Sequence, residues 1–354
     1  MLGLALQSTL GDVFSGIALN LARPYGIGDW LVLSNGIEGK VIETNWRATH
    51  LLSGANDLVV VPNSDLAKAR LTNLSSPERS HGVTLTARFR PTAPPSTMVD
   101  VMRSVLLSSN SRLTDRESTV EVVSLDASAI ELELSFRVED LTAVAKAKSE
   151  VFDLIYRHAK AAGLTLSSPS GGVAVAVAAS HADEPLPGQH TTPRRLLDAI
   201  ALFASMTEDE KEALASTMNR RTFRKGEVLA EQGAVLSSLM IIRSGVVAVI
   251  RRDGLRETEL GRLAPGDFLG EGGLLTGSGE LGTIQALTFV VTYEITQQGL
   301  APLMQDRPAI ADELASLLSK RNAHEQLRLG QSDGSVVAKA VPTLRARIRH
   351  LFDL

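Results

Sequence analysis

Glycines at 226, 233, 245, 254, 261 and 266 constrain the chain most. They divide the stretch up to about Ile295 into short runs rich in Val, Ile and Leu. A glycine tolerates the positive φ that a tight turn between strands demands. Runs of this length, punctuated so regularly, predict an all-β unit and leave no room for long helices inside it. Helices are expected around it. One covers Leu196 to Ala204; a second runs to about Met218 behind Thr207 as N-cap, with Glu210 three residues on. Arg307 to Leu327 is expected to close the unit as a third.

The other end of the chain reads differently. Met1 to Ala22 is apolar but interrupted by Gln7, Ser8, Thr9, Asp12, Ser15 and Asn20, and its first positive charge is Arg23. It lacks the basic start and unbroken apolar core of a secretory signal. The pattern predicts a helix that packs on protein or lines water, ended at Arg23-Pro24 because proline disfavours the helical conformation in the residue before it. Short β-rich runs follow at Trp30–Leu33, Ile37–Trp46, His50–Leu52 and Leu58–Val61, separated by Ser34-Asn35-Gly36 and Ser53-Gly54-Ala55-Asn56-Asp57. They predict a small β-barrel closed at Pro62-Asn63-Ser64. From Gly82 the period changes: a strand at Val83–Phe89, a helix at Ser96–Ser109, strands at Val120–Leu125 and Ile130–Val138, and a helix at Thr142–Ala162. The order β-α-β-β-α is a ferredoxin-like half-sandwich without its last strand. Residues 169–195 read as a linker with a Val/Ala patch at Val173–Ala179.

Composition narrows the functions. The 354 residues are 44% hydrophobic and 21% charged, enough apolar material for several cores. Thirty-six basic against forty acidic residues leave a net charge of -4, which gives no bulk attraction to nucleic acid or anionic lipid. The absence of cysteine removes disulfides, thiolate metal sites and cysteine nucleophiles. The seven histidines have no metal-ligand spacing, and neither a phosphate-binding P-loop nor a Gly-x-Ser-x-Gly elbow occurs, so no enzyme is expected. No run of about eighteen uncharged apolar residues is present to span a bilayer. Only about thirty residues follow Glu325, too few for a helix-turn-helix behind the β unit. The basic amphipathic stretch Leu344–Phe352 reads as packing back on the core rather than on lipid.

Two stretches carry specific motifs. The first is Gly3-Leu4-Ala5-Leu6-Gln7 with Leu10, Gly11 and Gly16, then Arg23-Pro24-Tyr25, Gly28-Asp29 and Val61-Pro62-Asn63-Ser64. Small residues let helices approach closely, and a leucine facing a pore can gate it by dewetting. Over residues 1 to about 168 this resembles the small-conductance mechanosensitive channel family. The resemblance implies a pore-lining helix packed through Gly3, Ala5, Gly11 and Gly16, Leu4 as a pore gate, and a heptameric ring in the bacterial inner membrane with most of this chain in the cytoplasm. It also implies lipid-facing helices ahead of Met1, so the chain reads as N-terminally truncated.

The second stretch is Lys225-Gly226-Glu227-Val228, Gln232-Gly233, Ile241-Ile242-Arg243-Ser244-Gly245, Gly266-Asp267-Phe268-Leu269-Gly270-Glu271 and Thr283. It resembles the cyclic-nucleotide-binding β-roll, from about 196 to 328. The resemblance implies that Glu271 holds a ribose hydroxyl, that amides near Gly270, Gly272 and Gly273 meet the cyclic phosphate, and that Thr283 assists. Glu280 stands where the family places an arginine on that phosphate. Opposite charges about 4 Å apart attract by roughly 4 kcal/mol at an effective dielectric near 20, so the reversed sign opposes cyclic AMP or cyclic GMP. Arg243, Arg251 and Arg252 are the candidates to replace the missing charge.

The expected architecture is therefore α+β and multidomain. A pore-helix remnant (1–25) leads to an Sm-like β-barrel (26–74) and a ferredoxin-like α/β domain (75–168). A linker (169–195) connects these to a cyclic-nucleotide-binding-like β-roll with flanking helices (196–328) and a tail (329–354). The expected function is a homo-oligomeric mechanosensitive-type channel subunit without nucleic-acid partners, in which a ligand acts by rotating the β-roll across the linker. The alternative is a non-conducting scaffold or regulatory subunit with a structural, ligand-free β-roll.

Overall fold

The computed structural model describes residues 2–113, 116–167, 192–200, 203–204 and 206–306. The chain divides into two compact units. One comprises Met1–Leu85, Ser111–Thr119 and Glu133–Glu150; the other comprises Thr86–Asn110, Val120–Leu132 and the chain from Val151 onward. Most of the expected linker, the Arg307–Leu327 helix and the tail with Leu344–Phe352 lie outside the described residues.

Helix α1 (Leu2–Ala22) ends where Arg23-Pro24 requires. Arg23 adopts a left-handed φ of 45° and gives its N–H to Leu19 O at 2.8 Å. Strands β1 (Trp30–Leu33), β2 (Glu38–Thr44), β3 (Ala48–Leu52) and β4 (Leu58–Pro62) follow. Helix α2 (Asn63–Lys68) and strand β5 (Leu71–Asn73), neither of which the periodicity separates, complete the region. The strands form an open antiparallel sheet ordered β4-β3-β2-β1-β5, not the closed barrel expected from sequence. β5 is three residues long and pairs with β1, and β4 ends on Pro62, which has no N–H to extend a ladder. Leu31, Leu33, Val41, Leu51, Val61 and Leu66 form its core, with Leu19 of α1 packed against it.

Strand β6 (His81–Phe89), helix α3 (Pro95–Ser108), strands β7 (Thr119–Leu125) and β8 (Ile130–Val138) and helix α4 (Val144–Ala162) appear in the order read from the sequence. Their sheet runs β6-β8-β7, the arrangement of a ferredoxin-like sandwich short of one strand. A single antiparallel bridge, Phe89 to Leu166, marks the side of β6 where that strand would lie. The β7–β8 turn is held by Asp126, whose Oδ1 accepts from Ser128 N (2.6 Å) and Ala129 N (2.8 Å). Those bonds, from the Ser128 hydroxyl and the two amides, hold the Asp126 carboxyl below its ordinary pKa.

The C-terminal region starts with α5 (Thr192–Ala199), four residues earlier than the Leu196–Ala204 expected, and α6 (Glu208–Thr217). The capping box at Thr207 forms as read: Glu210 N donates to Thr207 Oγ1 and Thr207 N to Glu210 Oε2. Strands β9 (Asn219–Phe223), β10 (Val228–Ala230), β11 (Ser238–Ser244), β12 (Val247–Asp253), β13 (Arg256–Leu263), β14 (Phe268–Leu269), β15 (Thr283–Ala286) and β16 (Val290–Thr296) build two sheets. Their orders are β10-β15-β12-β13 and β14-β11-β16-β9. α7 (Glu271–Thr276) lies between β14 and β15, and α8 (Gln297–Asp306) follows β16. β11 shows why two cores coexist: Leu239 and Ile241 face the helices with Leu197, Phe203 and Leu214, whereas Met240 and Ile242 face the other sheet with Val247, Ile284 and Val290.

Candidate functional site

The N-terminal motif residues converge on the meeting of α1 and the five-stranded sheet. Asn63, 2% exposed, gives Nδ2–H to Asn45 O (2.9 Å) and accepts from Thr49 Oγ1 (3.2 Å), and Thr49 meets Tyr25 OH at 2.9 Å. Asp12 on α1 is buried and accepts from Ser64 N at 3.1 Å. Its carboxyl is held below the ordinary range by the Ser64 hydroxyl and then the Ser64 amide. Asp29 accepts from Gly26 N (2.8 Å) and Asn73 Nδ2 (2.9 Å), fixing the turn after Arg23-Pro24. A Cβ on Gly16 would lie 2.7 Å from both Trp46 O and Asn63 Nδ2, so Gly16 serves this contact within the chain. A Cβ on Gly11 would meet nothing within 4 Å. Gly3, Leu4 and Ala5 fall in the first turns of α1; their side chains lie outside the described residues. Leu10, Phe14, Ile17 and Leu21 form an exposed apolar stripe at helical spacing. Asp12 and Trp46 carry no motif signal; their roles depend on partners distant in the chain.

The second site surrounds α7. Gly270 has φ 89°, and a Cβ there would lie 2.2 Å from Ser238 O. Gly273 would place one 2.3 Å from Leu236 O, and Gly279 one 2.4 Å from Gly233 O. No other residue fits these three positions without moving backbone, which accounts for Gly270 and Gly273 as named from the sequence and adds Gly279 to them. Around Gly272 space is open enough for ordinary contact, its nearest neighbour being Ser278 at 3.9 Å. Glu271 and Gly272 are half-buried at the start of α7. The loop beyond is tied by main chain: Glu280 N donates to Ala234 O (3.0 Å) and Gly233 N to Glu280 O (2.8 Å).

The structure places Glu280 and Thr283 in one loop-and-strand segment facing the end of β10. Buried Thr283 is engaged there: its Oγ1 accepts from Gln232 N at 3.2 Å and lies 3.4 Å from Glu231 Oε2, to which it donates. The three candidate replacement arginines are committed elsewhere. Arg243 donates to Ala161 O at 2.6 Å, Arg251 pairs with Asp253 at 2.9 Å and Arg252 with Glu257 at 2.7 Å. Glu231, which the sequence reading overlooked, thus puts a carboxylate beside the threonine expected to meet a phosphate. Among the described residues no group of three or more His, Asp or Glu side chains could hold a metal ion, and no helix is long and apolar enough to cross a membrane.

Comparison with known proteins follows the same division. Residues 8–76 match the family model of the mechanosensitive ion channel β-domain, and residues 220–307 that of the cyclic nucleotide-binding domain. The low conductance mechanosensitive channel YnaI of Escherichia coli is 33% identical over 106 residues, 29% of this chain and 31% of that protein. The cyclic AMP receptor protein of Thermus thermophilus is 27% identical over 129 residues, 36% of this chain and 60% of that protein. Helicobacter pylori MscS in its closed state superposes with a TM-score of 0.44 at 19% identity, covering 49% of this chain and 68% of that one. The chain spans 31%, 19% and 22% of the first three curated relatives it matches. Gly3, Leu4 and Ala5 precede the matched stretch, whereas Gly11, Gly16, Asn63 and Ser64 fall within it. The chain joins a domain of the MscS-type mechanosensitive channel family, at residues 8–76, to a C-terminal cyclic nucleotide-binding domain, at residues 220–307.

Proposed function

We propose that this chain is a subunit of a homo-oligomeric, MscS-like channel in the bacterial inner membrane, with the β-roll as its cytoplasmic regulatory domain and no catalytic role. The observation that carries this reading is the conjunction of the two domains in one chain, with the β-domain motif residues engaged in fixing α1. The apolar stripe Leu10, Phe14, Ile17 and Leu21 supports assembly: water is a poor neighbour for four such side chains in a row, and a second subunit or the lipid surface would cover them. Leu4 is the proposed gate and Gly3, Ala5 and Gly11 the proposed packing positions between subunits. A heptamer is the assembly we propose. Patch clamp of membranes carrying the protein, under graded suction, tests this. Stretch-activated currents are expected, and silence up to membrane rupture would overturn it.

For the β-roll, the ligand class is cyclic AMP or cyclic GMP, but its phosphate meets the wrong charge. Glu231 lies against Thr283, Glu280 occupies the loop three residues before it, and Arg243, Arg251 and Arg252 are occupied. We expect Glu280→Arg to strengthen binding about a hundredfold, roughly 3 kcal/mol, in a calorimetric titration. Micromolar binding by the unmodified protein would overturn the silencing and make direct ligand gating the working mechanism. The same two carboxylates favour the second reading, a scaffold with a ligand-free β-roll, which a silent patch together with a stable oligomer would support.

A further inference from the structure

The β-roll contacts α3 and α4 through three arginines, and each bonds to main-chain carbonyls. Arg157, on α4, donates Nε–H to Pro265 O (2.7 Å) and Nη2–H to Ala264 O (3.3 Å), and pairs with Asp267 Oδ1 at 2.7 Å. Arg243, on β11, donates to Ala161 O in the last turn of α4. Arg262, on β13, donates Nη1–H to Leu107 O at the end of α3 (2.5 Å), and its main-chain N–H goes to Asn110 Oδ1 (2.8 Å). The last carbonyls of a helix have no partner within it and carry partial negative charge, so a guanidinium is their natural complement. Glu259 holds the Arg262 head in place at 2.6 Å.

The turn that Arg157 grips, Ala264-Pro265-Gly266-Asp267, leads straight into the α7 cassette. Asp267 Oδ2 closes it by accepting from Ala264 N (2.8 Å), and Ile242 pins it from β11 through Gly266 N and Asp267 O, each at 2.8 Å. Only Phe268 and Leu269, paired with Ile241 and Met240, separate it from Gly270. Gly270 and Gly273 in turn press on Ser238 and Leu236 with no free space. Close-packed segments of this kind pass a displacement on instead of absorbing it.

We propose that Arg157, Arg243 and Arg262 form a clamp that holds the β-roll on the C-terminal ends of α3 and α4 and transmits movement of the α7 cassette directly into those helices, without the linker at 169–195. The regulatory use of this route rests on the function proposed above; the clamp itself does not. Because the chain has no cysteine, a Phe152→Cys, Leu255→Cys pair takes spin labels at two exposed positions and nowhere else. With labelled full-length subunits diluted into unlabelled ones, the interlabel distance distribution should be narrow, and roughly twofold broader in the Arg157→Gln, Arg243→Gln, Arg262→Gln triple variant. Arg252→Gln, whose side chain pairs with exposed Glu257, should leave it unchanged. A triple variant as narrow as the parent would overturn the clamp.

Transmission is read without ligand by Gly273→Ala, whose methyl displaces α7 from Leu236, or by Gly279→Ala if the first fails to fold. Either should shift the mean distance in the parent and not in the triple variant; equal shifts in both would overturn the route. Cyclic AMP added to Glu280→Arg should reproduce that clamp-dependent shift. If the glycine variants shift the distance and cyclic AMP does not, the clamp stands and the ligand reading falls.

Discussion

Two helix-to-sheet joints in this molecule are built from different chemistry. Where α1 meets the five-stranded sheet, the contacts are buried and short-ranged: a glycine against backbone, an amide, a hydroxyl, a phenol and one carboxylate on an amide N–H. Where α3 and α4 meet the β-roll, the contacts are guanidinium groups on carbonyls, and Arg157 keeps a quarter of its side chain in water. A buried amide that loses its partner bears the full cost of desolvation, whereas an exposed ion pair regains water when it opens. The first joint is made to stay closed; in the second, the Arg157 contact can open at modest cost, whereas Arg262, with 7% of its side chain exposed, is held more firmly.

Five measurements would break or sharpen this contrast. The largest effect should come from Gly16→Ala: its methyl meets Trp46 O, and hydrogen exchange in α1 and β3 should report a loss of about 3 kcal/mol. Gly11→Ala, in open space on the same helix, should instead gain up to about 1 kcal/mol. A loss there, accompanied by dissociation of the oligomer, would make Gly11 a contact between subunits. Asn63→Ala should cost about 2 kcal/mol, because Thr49 and Asn45 O both lose a buried partner.

A similar but pH-dependent loss is expected near the second joint. His158, 4% exposed beside Arg157, lies with Nε2 2.8 Å from Ser108 Oγ, whose proton goes to Ser104 O. Burial first, and then the Arg157 charge, push its pKa down to about 4. The unfolded chain takes up a proton near pH 6.5 and the folded one does not, so this stability is present above that pH and is lost as pH falls toward 4. Between pH 7 and pH 5 the loss should be about 2 kcal/mol in urea titrations, and His158→Gln should flatten it. The smallest effect belongs to Arg157→Gln, under about 1 kcal/mol in the same titrations and fading with added salt. A larger, salt-independent loss would show that the second joint is as rigid as the first.

Local signals were legible in the sequence, and long-range ones were not. The Thr207–Glu210 capping box and the strand-helix order of 81–162 each depend on residues a few positions apart, and each formed as read. Gly270 and Gly273 were named through the β-roll resemblance, and the structure gives a physical reason for them: a methyl at either would lie 2.2 or 2.3 Å from a backbone oxygen. The expected barrel failed because closure depends on how edge strands meet, and β5 is too short to show a period of its own. The side-chain partners were hidden for the same reason. Arg243 reaches Ala161 across 82 positions, Arg262 reaches Leu107 across 155 and Asp12 reaches Ser64 across 52, distances at which residue spacing carries no information.

The main-chain pairing of Glu280 with Gly233 and Ala234 has a consequence for how such a domain can change. Both of these bonds belong to the backbone, and any residue but proline at the position keeps them. A single codon can therefore set the charge offered to an anion while the loop keeps its course. Under the proposed ligand reading, arginine, glutamine and glutamate at 280 form a graded affinity series, letting lineages gain or lose a chemical signal without rebuilding the domain that receives it.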